Sequence, residues 1–227
     1  MKHRPRLLQI GEKLPKQLLV EGSNDFHTLC NLFEQHKLPE IFGIKEKGGY
    51  DRIRDTLDNE IKVSGLQALG IIVDADVDLE ARWQSLYNCL KTLGYTNLPK
   101  KPDTKGTIAS PVENPELPII GIWIMPNNQL PGILENFIAF LIPNRESNPS
   151  WQYAVQCVAG IPDHQKAFPD VRLPKAQLHT WLAWQEEPGK PIGQAISACY
   201  FDASSDEADN FINWLKRLFQ LHPESPT

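Results

Sequence analysis

The sequence predicts an α/β fold with a mainly parallel central sheet flanked by helices, in Rossmann-like topology, followed by a helical C-terminal extension. Between residues 16 and 141, short apolar runs alternate with segments whose apolar residues recur at helical spacing. Two of these runs, residues 69–73 and 119–125, are apolar or glycine at every position. Such continuous runs are typical of strands that are buried on both faces.

The first three predicted strands are each followed by a turn and a helix. Residues 16–20 form the first apolar run, ahead of a helix marked by apolar residues from 26 to 33. The second run, 41–44, leads through Gly48-Gly49 into a helix over residues 50–61. The third run, 69–73, precedes an amphipathic helix with an apolar stripe formed by Leu79, Trp83, Leu86, Leu90 and Leu93.

A proline-rich excursion separates the third helix from the fourth apolar run. It covers residues 96–118 and contains five prolines, so we predict a long loop with a short edge strand at 106–108. The fourth run, 119–125, precedes a helix that begins near Gly132. We therefore predict an α/β core over residues 14–142 that includes the excursion.

Residues 143–227 are predicted to form a helical extension that packs on the core. Helical patterns lie around residues 153–158, 176–184 and 206–218. Ser205 or Asp206 would cap the last of these helices. Trp181 and Trp184 lie three residues apart on one predicted helix face, and this spacing favours a place in the core over base stacking.

Composition and charge narrow the classes of function. The chain has 227 residues, a formal net charge of −5 and a pI near 5.7, so any contact with nucleic acid must be local or metal-assisted.

No stretch reaches the ~18 apolar residues of a membrane span, and no signal sequence follows the basic start, so we expect a cytoplasmic protein without membrane contact. The four cysteines are far apart and no zinc-type histidine pair occurs. We therefore expect reduced, buried thiols and no zinc site.

Acidic residues follow two of the predicted strands. Glu21 and Asp25 come after the first strand, whereas Asp74, Asp76 and Asp78 come after the third. If these strands are neighbours, the carboxylates converge at the carboxyl edge of the sheet, where ligands of open α/β folds bind. Converging carboxylates raise each other's pKa unless a cation neutralises them, and oxygen ligands suit Mg²⁺ or Mn²⁺. We interpret Asp25 as the capping or first-turn acid of the first helix.

This pattern resembles the Toprim domain of topoisomerases, DnaG-type primases and OLD-family nucleases. The resemblance depends on a strand that ends in Val20-Glu21-Gly22 and a later strand that ends in Asp74-Ala75-Asp76. A closer likeness is to a group of stand-alone Toprim-like proteins, the DUF3226 type, in which the fourth strand leads into a motif like residues 123–135. The likeness to the OLD-family nucleases is distant. The Toprim core would cover residues 14–142, and the helical extension belongs only to the smaller group.

The resemblance implies a Mg²⁺ or Mn²⁺ cofactor and catalytic roles for Glu21, Asp74 and Asp76. Glu21 would be a general acid/base or metal-linked residue, and Asp74 and Asp76 would be metal ligands. Asp78 matches a further acid of many Toprim motifs, and Glu135 parallels a later acid of OLD-like nucleases that would add a ligand for a second metal. The chain shows no topoisomerase tyrosine domain, primase zinc module or ATPase P-loop, so neither strand passage nor ATP-coupled activity is expected.

These residues lead to one expected function and two alternatives. We expect an enzyme that cleaves phosphodiesters of DNA or RNA, or transfers phosphoryl groups, with Mg²⁺ or Mn²⁺. The first alternative is a non-catalytic binding or regulatory module in a nucleic-acid or defence assembly, as a homodimer or with a protein partner. A phosphatase of the haloacid dehalogenase type is a third hypothesis. Against it, Asp78 stands where that motif has threonine, and the D-x-D follows the third strand where it should follow the first.

Several lysines are candidates for phosphate contacts. Lys166 or Lys175 could place positive charge at a scissile phosphate, although their spacing selects neither. Lys100, Lys101 and Lys105 lie in the excursion. Both a solvated loop and a phosphate-attracting loop agree with that placement.

Overall fold

A computed structural model describes residues 14–112 and 114–221 of the protein and confirms the α/β class. Five strands form one sheet in the order β2-β1-β3-β5-β4, and all neighbours are parallel except β4, which is antiparallel to β5. The strands are β1 (Lys16–Val20), β2 (Gly43–Glu46), β3 (Ala68–Asp74), β4 (Thr107–Ala109) and β5 (Ile119–Met125). The four parallel strands therefore end at one shared edge.

Eight α-helices surround the sheet in the described part of the chain. They are α1 (Ser23–Gln35), α2 (Tyr50–Ile61), α3 (Leu79–Thr92), α4 (Leu134–Phe140), α5 (Pro149–Ala159), α6 (Leu173–Leu182), α7 (Ile192–Ser197) and α8 (Asp206–Phe219). Within the described ranges, no helix is long and apolar enough to cross a membrane. The division of the chain at residue 142 stays a prediction, and both the basic start and residues 222–227 lie outside the described residues.

One face of the sheet is covered by α2 and α3. Leu19, Ile71 and Ile122 point to this face and are buried against helix residues such as Ile53 and Leu86. The alternation of side chains along a strand explains why the neighbours of these strand residues face the other way. The continuous apolar runs of β3 and β5 thus contribute buried side chains to both faces of the sheet, as predicted.

The opposite face is covered by α1, α4 and the C-terminal helices. Leu18, Ile72 and Trp123 from the sheet share one apolar cluster with Phe211 and Leu218 of α8. Ser205 caps α8 by accepting a hydrogen bond from the Ala208 amide at 3.3 Å, as one of the two predicted caps. The helices after residue 142 therefore complete the core that buries the sheet.

Two local predictions were wrong because the side chains concerned are exposed to solvent, and one helix was not predicted. The second strand begins at Gly43, not at Ile41, whose side chain is exposed. Trp184 is also exposed and stacks on Tyr153 at 5.4 Å between ring centroids, because α6 ends at Leu182. Helix α7 is absent from the predicted elements, whereas α4 begins at Leu134, near Gly132 as predicted.

The cysteines correct a further prediction. Cys30 is buried, and burial raises its pKa to about 12, as expected of a structural thiol. Cys89 is partly buried, whereas Cys157 and Cys199 are exposed. All are free thiols within the described residues, so the reduced state agrees with the prediction and uniform burial does not.

Gly106 offers a sharp test of how α8 packs against the excursion. Its backbone is left-handed, with φ +83°, and a Cβ atom there would clash with the indole of Trp214. Gly65 has nearly the same φ, +79°, but a Cβ atom at that position would meet open space. We expect Gly106→Ala to lower the free energy of unfolding by about 2 kcal/mol more than Gly65→Ala. Both substitutions place a non-glycine residue in a left-handed conformation, but only Gly106→Ala also forces a methyl group against the Trp214 indole. Denaturant titration of the two variants measures this difference. Equal losses of stability would show that α8 moves to make room for the added methyl group.

Candidate functional site

The expected convergence of acids begins with β1 and β3, which are neighbours in the sheet. Glu21 follows β1, and its Oε1 accepts a hydrogen bond from the backbone amide of Asp74 at 2.8 Å. Its Oε2 accepts one from the amide of Tyr50 at 3.1 Å, at the start of α2. The Glu21 carboxylate therefore joins the ends of β1 and β3 to the first turn of α2.

Asp74, the last residue of β3, lies at the centre of the acidic cluster. Its Oδ1 accepts a hydrogen bond from the amide of Leu134 at 2.9 Å, at the first residue of α4. Burial raises the pKa of Asp74 well above its usual range, and the carboxylates of Glu21, Asp25, Glu135 and Asp76 raise it further. Negative charge at this point is therefore strongly disfavoured unless a cation is present.

Asp76 forms the more accessible side of the cluster, with 44% of its side chain exposed. Its backbone is left-handed, with φ +53°, and its amide donates to the Gly132 carbonyl at 2.9 Å. The side chain makes an ion pair with Arg82 of α3, whose guanidinium lies over the Tyr50 ring at 3.7 Å from the centroid. The D-x-D turn is thus fixed by backbone pairing on one side and by an arginine on the other.

Asp25 and Glu135 lie on the face of the sheet that is covered by α1 and α4. They approach Asp74 from that face, whereas Arg82 belongs to α3 on the other face. Asp25 lies in the first turn of α1, as predicted, although Gly22 occupies the cap position. Burial and, among the charges, the carboxylate of Glu135 raise the pKa of Asp25 to about 6. Glu135 is buried in α4 and pairs with Lys175 of α6, with 3.1 Å between Nζ and Oε1.

The two lysine candidates separate in the structure. Lys175 reaches the acidic cluster through its ion pair with Glu135. Lys166 instead forms an ion pair with Asp170, four residues along the chain. The proximity of Lys175 also lowers the pKa of His179, after the larger effect of burial. Lys175 is therefore the lysine that the fold brings to the site.

Asp78 occupies a different position from the other acids. It is exposed, and its Oδ1 accepts a hydrogen bond from the Ala81 amide at 2.9 Å, which caps α3. Such caps are usual at helix N-termini and have a structural explanation of their own. The prediction that Asp78 is a metal ligand stays a prediction.

Sequence reasoning missed Arg82 as a member of this site. Arg82 lies six residues after Asp76, and only the turn between β3 and α3 folds it back onto that carboxylate. The one signal in the sequence was a lone arginine in the first part of the helix that follows D-x-D. That signal is weak because arginine is common on exposed helix faces.

The cluster suits a hard divalent cation in its donor chemistry. Among residues 14–112 and 114–221, no three His, Cys, Asp or Glu side chains form a set that would hold a metal ion by themselves. Mg²⁺ commonly keeps several waters and binds through one or two carboxylates plus substrate phosphates. The prediction that Asp74 and Asp76 are the protein ligands agrees with this requirement and stays a prediction.

Arg82 provides a prediction about the stability of this turn. We expect Arg82→Gln to lower the free energy of unfolding by about 1 kcal/mol, because a charge-assisted bond to a half-exposed carboxylate is lost. Arg52→Gln, on the exposed side of α2, serves as the control and should change little. Thermal denaturation of both variants measures the effect. A loss no larger than the control's would show that the ion pair does not hold the turn.

Comparison with known proteins places the chain in a family. Residues 15–220 match the model of the family described as protein of unknown function (DUF3226). The match covers most of the chain, so the protein belongs to this family, and the predicted likeness to the DUF3226 type is confirmed. No curated protein and no solved structure matches the chain.

Proposed function

We propose that this member of the DUF3226 family is a Toprim-like enzyme that cleaves phosphodiesters of nucleic acid, or transfers phosphoryl groups, with Mg²⁺ or Mn²⁺. One observation carries the proposal: Glu21, Asp25, Asp76 and Glu135 all lie close enough to Asp74 to raise its pKa at the carboxyl edge of the sheet. Folding charges together in this way is costly. A bound cation would offset this cost while Asp74 stays ionised.

The residues of the cluster have separate roles in this proposal. Asp74 and Asp76 would hold the ion, with Asp74 positioned by the Leu134 amide. A divalent cation bound there supplies charge neutralisation at the phosphate and activation of water. Arg82 and Lys175 place positive charge on either side of the carboxylates, where phosphate oxygens would be attracted.

Glu21 is suited to proton transfer. Burial raises its pKa, whereas the hydrogen bond from the Asp74 amide and the charge of Arg82 lower it by smaller amounts. A raised carboxylate pKa brings a general base closer to neutral pH, where proton transfer is most efficient. Its position is fixed by the amides of Tyr50 and Asp74, which would hold it beside the phosphate.

A second candidate function is a non-catalytic binding module. The observation that favours it is that Asp76 and Glu135 already have basic partners, Arg82 and Lys175. Both oxygens of Glu21 also accept backbone hydrogen bonds. Carboxylates that already have these partners can be a stable part of the fold in a protein that catalyses no reaction.

A cleavage assay separates the two candidates. Supercoiled plasmid, single-stranded DNA and RNA are incubated with Mg²⁺ or Mn²⁺, with EDTA as the metal-free control. Cutting that requires the cation supports the enzyme. If folded protein that binds Mn²⁺ cuts none of these substrates, the proposal of an enzyme is wrong and the binding module is favoured.

A further inference from the structure

A cavity of about 630 Å³ lies beside the acidic cluster. It is open to solvent on one side and is lined by the start of α3, by residues from 100 to 104 of the excursion and by residues from 128 to 131 after β5. Its size falls within the roughly 300–1,000 Å³ of small-ligand pockets. We call it the α3 cavity.

The α3 cavity is lined by residues that adjoin the D-x-D turn along the chain. Asp78 lines the cavity and follows Asp76 by two residues. Pro131 also lines it, and the adjoining Gly132 carbonyl accepts the amide hydrogen bond of Asp76. A chain-like ligand that occupies the cavity would therefore lie next to the segments that form the D-x-D turn.

The lining combines apolar surface with two lysines and two carboxylates, Asp78 and Glu80. Lys100 and Lys101 are exposed at one side, and Lys101 makes a long contact of 3.4 Å with the exposed Glu80. Val77, with 77% of its surface exposed, provides an apolar wall with Pro102. Cationic and apolar groups at one cavity match a nucleotide, which joins a phosphate to a base that can be buried.

The lysine side of the cavity is held in place by side chains of α3 and α8 and by a hydrogen bond within the excursion. The Trp83 indole donates a hydrogen bond to the Lys100 carbonyl at 3.1 Å. Asn210 of α8 donates to the Thr104 carbonyl at 3.3 Å, and Thr107 accepts a bond from the Asp103 amide at 3.0 Å. The excursion is thus a fixed wall, which lowers the entropy cost of binding a ligand against it.

We propose that the α3 cavity binds the nucleotides next to the scissile phosphate of a single-stranded nucleic acid, with Lys100 and Lys101 at the backbone phosphates. This inference relies on the proposed function only for the location of the scissile phosphate. A single strand is required because bases in a duplex are paired and stacked, whereas an unpaired base can reach the apolar wall. The α3 cavity would therefore give the enzyme its preference for single strands.

The test measures binding separately from cleavage. A fluorescein-labelled oligothymidylate and a labelled duplex are titrated with protein in EDTA, and again with Ca²⁺, over a range of salt concentrations. The variant is Lys100→Gln with Lys101→Gln, and the control is Lys37→Gln with Lys91→Gln, which removes equal charge from exposed sites outside the cavity lining. Anisotropy gives the dissociation constants.

We expect wild type and control to bind the single strand at least about tenfold more tightly than the duplex, because only the single strand offers an unpaired base to the cavity. In the cavity variant, the slope of log K against log salt should fall by about 1.4, because each lost phosphate contact on a single strand removes about 0.7. An unchanged slope, an equal fall in the control, or equal affinity for duplex would overturn the proposal. If these binding results hold and no substrate is cut, the proposed function fails and the α3 cavity remains a binding site.

Discussion

Replacement of Asp74 by asparagine should reduce cation-dependent phosphodiester cleavage by about a thousandfold or more. The reason is that Asp74 is the acid at the centre of the cluster and a proposed ligand of the ion. Loss of metal-based stabilisation costs several kcal/mol in the transition state, and each 1.36 kcal/mol is about a factor of ten in rate. Initial rates on the best substrate of the cleavage assay measure the loss.

A stability measurement accompanies this variant as its internal check. Asparagine preserves the shape of the side chain and can still accept the hydrogen bond from the Leu134 amide. It removes a buried charge, so the variant should be at least as stable as wild type in EDTA. Asp51→Asn, at an exposed first-turn position of α2, is the matched control and should retain activity. Full activity in a well-folded Asp74→Asn protein would contradict the assigned role.

The second large effect concerns stability and pH. Asp25→Asn should raise the free energy of unfolding by up to about 3 kcal/mol at neutral pH in EDTA, because the pKa of Asp25 rises from 3.8 to about 6 on folding. Below pH 3.8 the Asp25 carboxyl is protonated in both the folded and the unfolded chain, so its ionisation does not lower the free energy of unfolding. Between 3.8 and about 6 only the unfolded chain loses the proton, and wild-type stability falls as pH rises.

Urea titrations at several pH values check this prediction. The advantage of Asp25→Asn over wild type should be absent below about pH 4 and complete above about pH 6. Asp51→Asn again provides the control, because Asp51 occupies a first-turn position of its helix but is exposed. A gain that is independent of pH would show that it does not come from the titration of Asp25.

The sheet and the core of the site could be predicted from the sequence. The apolar runs of β1 and β3, with the acids at the end of each run, placed Glu21, Asp74 and Asp76 at one sheet edge, since parallel strands end together. The first-turn position of Asp25 followed in the same way from the helix pattern after β1. These features are encoded within short segments.

What the sequence could not supply depends on tertiary packing. The pairing of Glu135 with Lys175 joins α4 to α6 across 40 positions of the chain, and no local pattern indicates it. The exposure of Trp184 depends on where α6 ends, because apolar spacing is the same on a buried and on a half-exposed helix. Arg82 became part of the site only through the left-handed turn at Asp76.

Calorimetric titration of the protein with Mn²⁺ is the decisive measurement for the proposed cation site. The titration is repeated in two buffers of different ionisation enthalpy, so that proton release is obtained with the affinity. We predict saturable binding that releases protons, because the raised pKa of Asp74 requires deprotonation for the ion to bind, and we predict its loss in Asp74→Asn. Absence of binding in the wild-type protein, or equal binding and proton release in Asp74→Asn, would contradict a cation site at Asp74.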